Sequence, residues 1–152
     1  MKNLLIKAAA VILALSSLAG CSKDDNHDDF SNIPEEVKAD FKNRFPSATK
    51  VEWEFIANTV KADFVMENTD YEAFWKNSTS WNWIRTEKDV NITKTPLPSA
   101  VQNYLNTEFA GWKIEDVDYV WVPEDEFFEI SLEMSGKPDT VILIRKDGTV
   151  VI

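Results

Sequence analysis

Two stretches of this chain carry one apolar pattern. In "IPEEVKADFKNRFP", Ile33-Pro34, Val37, Phe41 and Phe45 match Leu97-Pro98, Val101, Leu105 and Phe109 of "LPSAVQNYLNTEFAGW" at a constant offset of 64 residues. Such self-similarity restricts the fold more than any other feature, because the chain must then be built from a unit used twice. In both copies proline stands where a helix begins, since its missing N–H has no helical partner there to lose. The apolar residues recur at spacings of three and four, the stripe of a half-buried helix. Pro46 stops the first helix, and Ala110-Gly111 stops the second.

Strands follow each helix. "VEWEF" (51–55) alternates apolar and charged residues, and "VDYVW" (117–121) repeats the idea. "ADFVM", "YEAFW" and "WNWIR" continue the first copy; "FEISL", "TVILI" and "TVVI" continue the second. The breaks fall at Ala57-Asn58, Asn68-Thr69-Asp70, Asn77–Ser80, Pro123–Asp125, Ser135–Lys137 and Lys146–Gly148. Each unit therefore reads as a helix followed by a four-stranded antiparallel meander. The expected fold is α+β: two such repeats, residues 33–95 and 96–152, with their sheets side by side and both helices on one face. Period-two alternation sends Val51, Trp53, Phe55, Trp75, Val117 and Tyr119 towards the helices.

Residues 1–20 have another purpose. Two lysines open the chain, an apolar run covers Ala8–Leu15, and small residues follow, the order of a secretory signal peptide. The run is too short to span a membrane, which takes about 20 residues. Leu18-Ala19-Gly20-Cys21 matches the bacterial lipobox, whose cysteine sulfur takes a diacylglycerol and whose freed amine takes a further acyl chain such as palmitate. At about 0.8 kcal/mol per buried methylene, several chains make a durable anchor. Cys21 is the only cysteine, so the exported domain is expected to rely on its core and not on a disulfide. Residues 21–32 are polar and acidic and read as a tether. Ser22 behind the cysteine points to the outer membrane, and Lys23-Asp24-Asp25 resembles a surface-export signal, which leaves periplasmic and cell-surface orientations both open.

Charge narrows the partners. Loss of Lys2 and Lys7 with the signal takes the net charge from −10 to −12. Nucleic acid and anionic membrane surfaces are excluded as partners for so acidic a chain.

A lipobox followed by two copies of "[IL]P..V...[FL]...F", each leading into "V.[WY].[FW]", resembles the PepSY-like family of exported bacterial proteins. The matching residues include Pro34, Phe45-Pro46, Val51, Trp53, Trp75, Pro98, Phe109, Gly111-Trp112 and Asp147-Gly148. The resemblance implies a fold like that of the β-lactamase inhibitor protein and a non-catalytic role in the cell envelope. Asn77-Ser78-Thr79 departs from the family's usual Asp-x-Gly hairpin turn.

Catalytic signatures are missing from the sequence. The single histidine, His27, lies in the tether, no thiol remains once Cys21 is acylated, and no G-x-S-x-G elbow occurs. An enzyme is not expected, and neither is a cofactor. The expected mode of action is binding of another protein through the sheet face opposite the helices, where large side chains anchor and charges select. Candidate binding residues on that face are Phe74, Ile84, Lys76, Glu52, Glu54, Asp63 and Glu129. Phe74 and Ile84 are expected to be open enough there that truncation leaves stability nearly unchanged. Three alternatives remain: a calcium-responsive module using Asp118, Glu124, Asp125 and Glu126, a glycan binder with exposed tryptophans, and a carboxylate hydrolase.

Overall fold

The computed structural model describes residues 32–151. Cys21, the signal segment, most of the tether and Ile152 lie outside the described residues. Helix α1 (Glu35–Arg44) leads into β1 (Thr49–Ile56), β2 (Thr59–Met66), β3 (Thr69–Asn77) and β4 (Trp81–Asp89). Helix α2 (Ser99–Glu108) leads into β5 (Lys113–Val122), β6 (Asp125–Glu133) and β7 (Thr140–Ile144). The strands form one antiparallel sheet in chain order.

The helix boundaries follow the sequence signals closely. Pro34 and Pro98 occupy the N-cap positions, one residue ahead of the first turn, with extended ψ angles of 135° and 144°. Glu35 and Glu36 open α1, and Lys42 and Arg44 close it, which complements the helix dipole. Val37 and Phe41 are the buried residues of α1, and Val101 and Leu105, 64 positions later, are those of α2.

Each helix seals a separate core against the same side of the sheet. Under α1, Phe41 sits at the centre of an aromatic group, with ring centroids 5.0 Å from Trp53, 5.1 Å from Phe64 and 6.0 Å from Trp75. Trp75 satisfies its buried N–H by donating to Asp40 Oδ2 at 2.7 Å, and Arg44 donates to the same oxygen from one turn later. Under α2, Val101 and Leu105 cover Val117, Tyr119, Ile130, Leu132 and Ile144. Trp121 packs against both cores and stacks near Tyr71 across the seam. The seam itself is four register pairs between β4 and β5, from Thr86↔Trp121 to Asp89↔Asp118.

The structure corrects four local expectations. Among the described residues the sheet has seven strands, not eight. After the turn at Asp147-Gly148 the chain makes one bridge, Ile144↔Val150, with Val151 N–H donating to the Leu143 carbonyl at 2.8 Å. Gly148 (φ +86°) lies against α2; a Cβ there would come within 3.2 Å of the Ala100 carbonyl oxygen. The second hairpin turns one position earlier than expected, at Glu67-Asn68, both with positive φ as a two-residue type I′ turn requires. Phe55 has the expected side but lies beyond the helix-covered area, 46% exposed and touching Trp81 edge-on.

The fourth correction concerns β4. Register shifts between Phe74↔Arg85 and Trp75↔Trp83, which makes Ile84 the extra residue of a bulge. Simple alternation from Trp81 sends Arg85 to the helix side. The bulge instead keeps Trp83 on that side, moves Thr86 there to accept from Trp83 Nε1 at 2.9 Å, and turns Arg85 to the opposite face.

Candidate functional site: the open face of the sheet

Residues directly opposite one another on antiparallel strands share a face. The register therefore builds the open face rung by rung. Glu52 lies opposite Asp63, Asp63 opposite Glu72, and Glu72 opposite Glu87, a line of four carboxylates across β1–β4. A second line runs across β4–β6, where Asp89 faces Asp118 and Asp118 faces Glu129. Between these acids stand two bases. Lys61 reaches Asp63 at 3.0 Å, Glu54 at 3.6 Å and Glu72 at 3.7 Å. Arg85 bonds Glu129 at 2.7 Å and also grips Glu87.

Apolar residues lie beneath this charged layer. Phe74, opposite Lys61 and Arg85, is 9% exposed; Val120 and Phe127, opposite each other, are 0% and 6% exposed. None of the three belongs to either helix-side core. Lys61 and Arg85 flank Phe74 on the adjacent strands, and Glu87 flanks Val120, so the face is lined by the sheet's own side chains. The expectation that Phe74 is freely open on this face is therefore corrected. Ile84, at the bulge, is half-buried.

Burial changes the acid–base character of the face. It is the main cause that pushes Glu72 up to about 7, against the pull of Lys61. Asp118 is also pushed up to about 7, first by burial and then by the neighbouring charges of Asp116, Glu87, Glu129 and Asp89. Burial raises Glu87 too, although Arg85 opposes it. For Lys61, burial works to lower the pKa, and the surrounding carboxylates outweigh it.

The structure brings most of the sequence-predicted binding residues together. Glu52, Glu54, Asp63, Phe74 and Glu129 belong to this network. Lys76 lies exposed at one end, opposite Thr59 and Asn82. The calcium candidates do not converge. Asp125 is held by Arg145 through bonds of 3.0 and 2.6 Å, and Glu126 by Lys146 at 2.9 Å on the helix side. Asp118 lies apart in the middle of the open face, and Glu124 is in the β5–β6 turn. Among the described residues no group of three or more acidic or histidine side chains is arranged to hold a metal ion. Arg85, Glu87 and Phe127 were not anticipated. "WNWIR" runs on as "TEKD", whose alternation marks a longer strand, but nothing in the residues announces the bulge.

Among the described residues no helix is long and apolar enough to cross a membrane. No protein-family profile matches the chain, and no curated protein matches it. Solved structures do. A DUF2874 family protein from Bacteroides uniformis ATCC 8492 superposes with a TM-score of 0.69 at 23% identity, over 79% of this chain and 87% of that one. A BLIP-like protein from Bacteroides fragilis NCTC 9343 gives 0.68 at 21%, over 83% and 89%. A protein provisionally described as periplasmic from Bacteroides eggerthii DSM 20697 gives 0.67 at 24%, over 78% and 86%. With two helices on one side of an open antiparallel sheet, the chain has the β-lactamase-inhibitor-like α+β fold.

Proposed function

We propose that this chain is a non-catalytic, PepSY-like lipoprotein of the bacterial envelope, anchored through Cys21, that binds another protein with the open face of its sheet. The observation that carries this reading is the asymmetry of the sheet. Both helices cover one side, while the other presents an ordered layer of ion pairs over Phe74, Val120 and Phe127 with no element above it among the described residues. An open face of several strands is the broad, stiff kind of surface from which protein interfaces are built. The BLIP-like and provisionally periplasmic neighbours are compatible with such a module outside the cytoplasm. The lipobox adds the outer membrane, with the domain held off the bilayer by the acidic tether.

Site-specific photocrosslinking tests the reading in cells that make the protein. Crosslinkers at Glu54, Lys76 and Ile84 should trap one protein of defined mass. The same groups at Glu36, Lys42 and Glu108 on the helices should not. Capture confined to the helix positions would overturn the proposal.

A further inference from the structure

The two carboxylate lines place like charges directly opposite one another, an arrangement that weakens a sheet where alternating charges would strengthen it. Glu52, Asp63, Glu72 and Glu87 form three consecutive like-charged pairs. Asp89, Asp118 and Glu129 form two more. Lys61 and Arg85 cannot neutralise them all. Arg85 is taken by Glu87 and Glu129, Lys61 sits nearest Asp63, and among the described residues no base pairs with Asp118.

We propose that the open face docks a basic protein surface, whose lysine or arginine side chains enter between the two carboxylate lines. This rests on the reading of the open face as the binding surface and adds the chemistry of the partner. Charge complementarity selects that occupant over the others. A second copy of this chain would set acid against acid. A phosphate backbone or anionic bilayer has the wrong sign. A single divalent cation takes its oxygens at 2.3–2.6 Å in one cluster, whereas strands lie about 4.8 Å apart, so four carboxylates on four strands are spread over about 14 Å. A row of basic side chains matches that spread. The ionisation behaviour of the face agrees with an unfilled place for positive charge, since Glu72 and Asp118 both resist ionisation while the face is bare. A guanidinium seated there would make charge-assisted, bidentate bonds in a half-buried setting.

The probe is a fluorescent octa-arginine peptide, titrated against the acylated or soluble mature protein by anisotropy at low salt. At pH 8.5, above the value of about 7 to which Glu72 and Asp118 are pushed, the face variant E72Q/E87Q/D118N removes three charges from the two lines. The control variant E35Q/E36Q/E108Q removes three charges from exposed helix ends. Saturable one-to-one binding is expected, weakened about tenfold or more by the face variant and less than about threefold by the control. Equal weakening by the two variants would reduce the effect to net charge and overturn the proposal, as would absence of saturable binding to the parent. If the triple variant does not melt cooperatively, E52Q/D63N at the exposed end of the first line replaces it, with the same expected direction. The photocrosslinking separates this inference from the reading beneath it. A partner trapped at the sheet positions through a neutral or acidic surface refutes the basic partner and leaves the binding face standing.

Discussion

Asp118→Asn tests the electrostatics of the open face at its most loaded point. The carboxyl is largely buried, faces Asp89 and Glu129 across the strands, and has its pKa pushed up from 3.8 to about 7. The folded state therefore holds its proton more tightly than the unfolded chain. The stability this group lends is complete below its unfolded pKa of 3.8 and is lost as pH rises through about 7. A shift of about three units has a ceiling of about 4 kcal/mol at 1.36 kcal/mol per unit. Asp118 retains some contact with water, and its neighbours are screened, which brings the expected effect to about 1–2 kcal/mol. Asparagine copies the shape of the protonated acid and carries no charge at any pH. Urea unfolding followed by tryptophan fluorescence should find variant and parent nearly equal at pH 4. The gap should widen from there, with the variant about 1–2 kcal/mol more stable at pH 8. A gap that does not change with pH, or a variant less stable at pH 8, would refute the burial and like-charge argument.

Phe74→Ala should cost about 2 kcal/mol, less than a fully enclosed phenylalanine because flexible charged side chains flank it, and Ile84→Ala about 0.5 kcal/mol; paired chemical denaturation curves measure both. Ala57 holds a positive φ of 55° in the first hairpin turn, so Ala57→Gly should raise stability by about 0.5–1 kcal/mol, read as a higher melting temperature. Trp53→Ala should cost about 3–5 kcal/mol by opening a cavity beside Phe41. Cys21→Ser should abolish labelling by a fatty-acid analogue and release the protein from membranes; undiminished labelling would disprove the anchor.

The helices and the division of the sheet into two faces were legible because both rest on short-range periodicity. Val37, Phe41, Val101 and Leu105 point inward for the reason their spacing gives, and Trp53, Trp75, Val117 and Tyr119 follow the alternation. Arg85 was illegible because a bulge depends on two strands at once: Ile84 is extra only in relation to Phe74 and Trp75. The cover over Phe74 and Val120 was hidden for a similar reason. Exposure on a sheet face depends on which side chains the neighbouring strands set beside it, and that register is not written in the strand itself. "TVVI" has the composition of a strand, yet its described residues make only the bridge Ile144↔Val150.

Trp121 has a consequence for how the molecule comes apart. Each core holds only nine or ten buried side chains among the described residues, and a unit of about 60 residues with so little interior is marginal by itself. The indole of Trp121 belongs to both, and the backbone link between the halves is a ladder of four pairs that includes Asp89 against Asp118. The thermodynamic unit is therefore the whole sheet, in which neither half has enough free energy to persist once the other is lost. Shaving Trp121 down to alanine would loosen that coupling more than it would damage either interior. Amide exchange across β4 and β5 would then run ahead of the rest, and the single transition would fall to a lower midpoint without splitting.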